Sequence, residues 1–238
     1  TIGNLNNHIG VPLTLLSFDE NTEMGIVEMG ANHQKEIELL CAIAQPDYGY
    51  ITNFGKAHLE GFGGFEGVIK GKSEMYDYLR AYGKTAFVNL NDPLQRQKTN
   101  DLPAVGFGID QPEAFLNIKS ATADPLVRIA YDGIEIQSNL IGIYNANNLM
   151  AAITIGKYFG VNDTEIRAAL EDYVPQNNRS QLMVRGTNEI ILDAYNANPS
   201  SMRAAIENFL KLEKQPKVMF LGDMFELGPE SEKEHHEI

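Results

Sequence analysis

The chain has little with which to cross-link itself or to attract polyanions. Cys41 is the single cysteine among 238 residues. No internal disulfide can form, and a reducing compartment, the cytoplasm, is expected. Positive charge is scarce: 19 Lys and Arg stand against 32 Asp and Glu, a net charge of −13. This argues against a broad nucleic-acid surface. It leaves open a phosphate-bearing small ligand, because local groups and metal ions can hold one. No apolar run approaches the roughly 18 residues of a membrane span, and the first residues do not read as a signal peptide, so no membrane association is expected. With 43% hydrophobic and 21% charged residues, the sequence is that of an ordinary globular protein of one or two domains.

The first half alternates strand and helix signals. Residues 25–29 read as a short apolar strand ending at Gly30. Ile37, Leu40, Cys41 and Ala44 recur at helical spacing until Pro46. Residues 48–52 and 85–90 read as buried strands, with a helix over 65–81 between them that Gly83 ends. Such alternation predicts right-handed βαβ units around a mostly parallel central sheet flanked by helices, an α/β fold. Residues 103–143 form a β-rich excursion with a hairpin turn at Asp132-Gly133. Helices follow over 145–159 and 163–172. After the Pro/Asn-rich connector 175–178, a strand over 189–193, a helix over 199–212 and a strand over 217–221 restart the α/β pattern. The expected domains are 1–175 and a partial, Rossmann-like 176–238. Thr1 opens what reads as the middle of a site, and residues 234–238 end inside an amphipathic helix, so a piece of a longer protein is expected.

Open α/β sheets place ligands beyond their strand ends, which directs attention to three such ends. Glu28 sits among apolar residues. If buried, its carboxylate needs a partner or a metal; on an edge it faces solvent, and spacing leaves both readings open. His58 lies in a glycine-punctuated loop beyond residues 48–52. A neutral imidazole there serves as ligand or acid–base group, although a lone loop histidine is more often a surface residue. Gly71-Lys72-Ser73 and Gly83-Lys84-Thr85 fail as phosphate loops, because the glycine required five positions upstream is Glu66 or Tyr78. Asn145-Ala146-Asn147-Asn148 opens a helix; one Asn suffices as a cap, and further carboxamides suit a purine edge. Arg179 offers a planar fork for phosphate, or is an ordinary surface arginine. Asp193 stands where strand meets helix and can take a ribose hydroxyl, while Asn198-Pro199 starts the helix in either reading.

Together these segments resemble the Mur ligase family. The marks are Gly3-Asn4-Leu5-Asn6-Asn7-His8-Ile9-Gly10, Glu28-Met29-Gly30-Ala31-Asn32-His33, Ala57-His58-Leu59-Glu60-Gly61-Phe62-Gly63, Asn178-Arg179-Ser180-Gln181, residues 193–202, and Leu221-Gly222-Asp223-Met224-Phe225-Glu226-Leu227-Gly228. They run over essentially the whole chain. Residues 193–199 favour the member that adds D-Ala-D-Ala over members adding earlier amino acids and over folylpolyglutamate- or cyanophycin-type ligases.

The resemblance implies an ATP-dependent amide ligase of peptidoglycan synthesis that works through an acyl phosphate. The implied partners are UDP-N-acetylmuramoyl-tripeptide and D-Ala-D-Ala, and a monomer is expected. By the same resemblance Glu28 and His58 match Mg²⁺-binding positions. Lys72 matches the lysine the family carbamylates, with Lys70 as a neighbouring competitor. Lys72 and His58 are thus the implied catalytic residues. Asn145 and Asn148 match nucleotide-binding asparagines, and Arg179 and Asp193 match residues that close over ATP phosphate and ribose. Asn4, Asn6 and Asn7 match a segment near the muramoyl substrate and phosphates. The family's phosphate loop is expected before Thr1, so activity is expected of the parent protein. The alternative for this stretch is a non-catalytic nucleotide-binding module.

Overall fold

The structure, a computed structural model, describes every residue except Ile2 and Asn177. Asn177, in the connector expected between the two domains, therefore lies outside the described residues.

The centre is a four-stranded sheet in the order β1 (Tyr48–Tyr50), β2 (Thr85–Asn89), β3 (Ala104–Ile109), β4 (Leu116–Ile118), with every pairing parallel. Both faces of β2 are covered, as its run of buried residues Ala86 to Asn89 requires. On one side lie Ile51, Phe54, Tyr76, Leu79, Ala86 and Val88, with Tyr76 and Leu79 supplied by the long helix Phe65–Ala81. On the other, Phe107, Leu116 and Ile118 pack with Leu149, Met150 and Ile153 of the helix Ala146–Tyr158.

In chain order the helices are α1 (Gly10–Leu16), α2 (Glu36–Ala44), α3 (Leu59–Phe62), α4 (Phe65–Ala81), α5 (Pro93–Lys98), α6 (Ala146–Tyr158), α7 (Asp163–Asp172), α8 (Pro199–Lys211) and α9 (Ser231–His236). α5 begins where Asp92 accepts the N–H groups of Leu94 and Gln95, and α8 begins with a capping box between Asn198 and Ser201 ahead of Pro199.

The β-rich excursion is an antiparallel sheet of β5 (Ser120–Ala123), β6 (Leu126–Tyr131) and β7 (Ile134–Ile141). Val127, Ile129 and Tyr131 of β6 alternate inward onto α6, the period-2 signature of a half-buried strand. Asp132 and Gly133 both adopt positive φ, +46° and +80°, which a tight type I′ hairpin turn demands.

Two expected strands do not form. Residues 25–29 run without ladder pairing. The Glu28 N–H donates to the Thr1 hydroxyl, and the Gly30 N–H to the Asn6 carbonyl. Among the described residues no strand pairs with this segment, and these amides are met by residues 1–6 instead. Residues 217–221 also lie outside any sheet, with Phe220 93% exposed. The strand expected over 189–193 is present as β9 (Asn188–Leu192), paired antiparallel with β8 (Gln181–Arg185) in a two-stranded hairpin. Apolar composition suggested strands at all three places, but a strand exists only where a partner meets its hydrogen bonds.

The packing predicts where truncation matters. Phe107 is fully buried on the α6 face, so Phe107→Ala should destabilise folding by about 3–5 kcal/mol in urea titration. Ile26 is 74% exposed, and Ile26→Ala should change stability by no more than about 0.5 kcal/mol.

Candidate active site

The residues singled out in the sequence gather in two neighbourhoods. The first surrounds the turn beyond β1. His58 adopts a left-handed conformation, φ +54°, at the start of α3, and its side chain is about one-third exposed. Its Nδ1 pairs with a carboxylate oxygen of Glu226, a residue 168 positions away. The same C-terminal segment docks through backbone, since the Glu60 N–H donates to the Glu226 carbonyl at 3.0 Å. Met224 and Leu227 anchor it by packing against Leu59, Phe62 and Val68. His235 holds the segment from behind: Nε2 accepts the Met224 N–H at 3.1 Å while Nδ1 lies 2.8 Å from the Ser231 carbonyl.

Lys72 projects from α4 toward the end of β1. Its Nζ donates to the Asn53 carbonyl at 2.8 Å, with Asn53 Oδ1 at 3.4 Å. Burial lowers the ammonium's pKa below its ordinary value. Lys70, two residues earlier, is exposed.

Glu28 is exposed. Its Oε1 accepts from Asn6 Nδ2 at 2.9 Å. Asn6 also fills the space over Gly30, where an added Cβ would come within 2.8 Å of its carboxamide. Asn7 Oδ1 accepts from the N–H groups of Ile9 and Gly10 and thereby starts α1. Asn4 contributes its carbonyl to the Asn6 N–H and leaves its side chain in solvent. Glu28, His58 and Lys72 are each held by a different partner: Asn6, Glu226 and Asn53. Among the described residues, no group of three His, Cys, Asp or Glu side chains is close enough to hold a metal.

The second neighbourhood lies where α6 meets the β8–β9 hairpin. Asn145 does not cap α6. Its Nδ2 donates to the Ile141 carbonyl at 2.8 Å, and its Oδ1 accepts from Asn148 at 3.2 Å. The two carboxamides therefore hold each other at the helix start. Between them Asn147 accepts from the buried Asn89 at the end of β2, at 3.3 Å. The adjacent Tyr144 shares a 2.6 Å hydrogen bond with the hydroxyl of Ser180, which is buried at positive φ. The Ser180 N–H in turn donates to Asp193 Oδ1 at 3.2 Å. One relay thus connects the start of α6 to Asp193. The Arg179 guanidinium carbon lies over the Tyr195 ring, 4.1 Å from its centroid.

Four contacts were not visible in the sequence. Glu226 on His58 and Ser180 on Tyr144 join residues far apart in the chain. Glu234 is buried and accepts from Lys56 at 2.5 Å. Glu74 is buried against the start of α2. Only the presence of Glu226 and Ser180 inside marked motifs hinted at a role.

Residues 1–156 match the Mur ligase middle domain, and residues 178–238 match the Mur ligase glutamate ligase domain. The chain is 36% identical, over its full length, to 52% of the UDP-N-acetylmuramoyl-tripeptide–D-alanyl-D-alanine ligase of Bacillus subtilis. It is 35% identical to 53% of the ligase of that name from Haemophilus influenzae. It therefore spans about half the length of these curated relatives. A crystal structure of MurF from Acinetobacter baumannii superposes with a TM-score of 0.87 at 32% identity, covering 99% of this chain and 52% of that one. MurF ligase from Thermotoga maritima, solved in complex with ADP, gives 0.80 at 25% identity over the whole of this chain and 56% of that one. With the matched domains covering most of its length, the chain belongs to the Mur ligase family.

Proposed function

We propose that the parent protein joins D-Ala-D-Ala to UDP-N-acetylmuramoyl-tripeptide at the expense of ATP. The observation that carries the reading is the relay Tyr144–Ser180–Asp193. It links Tyr144, next to the Asn145–Asn148 pair, through Ser180 to Asp193, and we read the residues at its two ends, with Arg179, as the nucleotide site. We take residues 1–175 and 176–238 as the two domains that close on each other there, as hinged ligand sites do. The named relatives carry this activity in their names, and one was solved with ADP.

The reaction transfers the γ-phosphoryl group of ATP to the tripeptide carboxylate, forming an acyl phosphate and ADP. The amine of D-Ala-D-Ala then attacks the acyl carbon, phosphate leaves, and the nitrogen gives up a proton as the amide forms. The protein's work is positioning and neutralisation of charge. Asn145 and Asn148 offer donors and acceptors to the base, and Asp193 can accept from a ribose hydroxyl. Arg179 can leave the Tyr195 face to lie along phosphate oxygens in a bidentate pair. By the family resemblance Asn4 and Asn7 are assigned to the phosphate end; Asn7 has already spent its oxygen on the start of α1, which leaves its amide to donate.

Mg²⁺ fits the donor chemistry in kind. Glu28 supplies a carboxylate oxygen, His58 an imidazole and Lys72 an amine that burial keeps closer to neutrality. The neutral amine adds CO₂ through its lone pair and loses a proton to give a carbamate, a hard oxygen donor. When bound there, Mg²⁺ supplies positive charge to phosphate oxygens. Solvent-facing Lys70 has no such role.

Three outcomes follow. In the full-length protein, phosphate release should require D-Ala-D-Ala together with the UDP-linked tripeptide; release with a different amino-acid acceptor alone would overturn the specificity. Lys72→Ala should be nearly inactive and partly rescued by short carboxylic acids, with Lys70→Ala close to normal. The opposite pattern would assign the role to Lys70. The lowered pKa of Lys72 means that more amine is neutral at a given pH, so ¹³C NMR with labelled bicarbonate should show a carbamate signal that grows with pH and is missing from Lys72→Ala. Finally, Asp193→Ala should raise the apparent KM for ATP by about tenfold, the scale of losing one hydrogen bond to a bound ligand. An unchanged KM would leave Asp193 only its contact with the Ser180 amide.

A further inference from the structure

Glu74 is a carboxylate buried to 7% exposure, and neither of its oxygens serves an ion pair. Oε1 accepts the Lys35 N–H at 2.6 Å and Oε2 accepts the Glu38 N–H at 3.0 Å. These are donors at the start of α2, which a helix leaves without intrahelical partners. Lys35, in the N-cap position at φ +74°, makes no side-chain cap and has no oxygen with which to make one. Glu74 of α4 therefore caps α2 across 36 to 39 residues of sequence. Glu36 completes the arrangement: its Oε2 accepts the N–H groups of Asn32 and His33 at 2.8 and 2.9 Å. The loop that continues from Glu28 is thus tied through α2 to one side chain of α4.

That side chain sits two positions after Lys72, about 200° around the helix. α4 is consequently held on two sides, by Lys72 on the Asn53 carbonyl and by Glu74 on the start of α2. A rotation or slide of α4 breaks both contacts together. We propose that Glu74 is a positioning residue, which sets the Glu28 loop and Lys72 in register with each other. This rests on the ligase reading only where activity is measured.

The test compares Glu74→Gln and Glu74→Asp with Glu38→Gln, a change at an exposed ion pair, in the full-length protein. In Glu74→Gln the amides of Lys35, Glu38 and residues 28–33 should exchange hydrogen at least tenfold faster, with β2 and β3 amides unchanged. Its kcat should fall on the order of 10- to 100-fold, the cost of a reacting group displaced by about 1 Å, with KM for ATP within about twofold. Glu74→Asp, which keeps the charge on a shorter arm, should lie between, and Glu38→Gln should match wild type. A folded Glu74→Gln or Glu74→Asp with loosened 28–33 amides and wild-type kcat would overturn the proposal. If Glu74→Gln does not fold, Glu74→Asp alone decides on the same criteria. Should wild type lack D-Ala-D-Ala-dependent activity, the ligase reading fails by itself. Exchange at residues 28–33 then decides for Glu74, and unchanged exchange there overturns it.

Discussion

The turn from His58 to Gly63 receives the Asn32 loop, α4 and the Glu226 segment, and it can do so because it is bare at Gly61. A Cβ on Gly61 would come to 2.2 Å from the Asn32 carbonyl oxygen, a separation no side chain tolerates. The loop after Glu28 therefore rests directly on the backbone of the turn that bears His58. From the other side Phe62 reaches into α4. Its carbonyl would meet a Cβ on Gly67 at 1.9 Å and its ring one on Gly71 at 2.4 Å. Three glycines let three backbones approach where ordinary residues would hold them a side chain apart. That proximity brings the Asn32 loop, the turn after His58 and α4 into direct contact.

The same turn receives the C-terminal part of the chain, and the forces there divide by role. Met224 and Leu227 are almost fully buried, and burying such side chains stabilises by about 1.5–3 kcal/mol each. The pair of His58 with Glu226 is partly exposed on both sides, a setting in which an ion pair contributes about 0–1 kcal/mol. Apolar anchors hold the segment down, while the Glu226 carbonyl on the Glu60 N–H and the Ser200 hydroxyl on the Lys56 N–H fix its register. The neutral tautomer of His235, with Nε2 accepting from Met224, keeps the segment in the conformation that presents Glu226. Tyr144 and Ser180 do the equivalent work at the second neighbourhood, through a part-buried hydroxyl pair.

Elements were legible in the sequence wherever local pattern and tertiary need coincide. The helix over 65–81 is found at those residues because its buried apolar positions are met by packing, on the sheet, on α2 and on α3, and Asp132-Gly133 turns as read because only a positive-φ pair closes a two-residue hairpin. Residues 25–29 and 217–221 have equally apolar compositions, yet pairing depends on a neighbour the local sequence does not name. The site divides the same way. Motif residues such as His58, Lys72 and Asn145 stood out by spacing and resemblance. Their partners Glu226, Asn53 and Ile141 are chosen by topology, two of them through main-chain carbonyls that carry no sequence signal at all. Glu74 shows the limit most clearly: cap logic searches the residues beside a helix, and the cap of α2 comes from another helix.

Lys72 and Glu74 also show what such a site costs the fold. An ammonium withdrawn from water with a carbonyl as its main partner is less stable than the same group in solvent, which is what its lowered pKa expresses. The sign follows from proton binding. The unfolded side chain keeps its proton up to about 10.5, whereas the folded one releases it at lower pH. Between those two values the unfolded state binds more protons, so stability rises with pH; below them the burial penalty stands in full. Packing alone would favour an apolar side chain at this place on α4, since an apolar residue of like volume carries no desolvation cost. Two residues on, Glu74 faces the opposite requirement: its charge is buried but met by two backbone donors, so the same desolvation is offset by strong hydrogen bonds. α4 thus carries one buried carboxylate whose partners make it an anchor and one half-buried amine whose desolvation lowers its pKa. The first is what allows the second to be held in place.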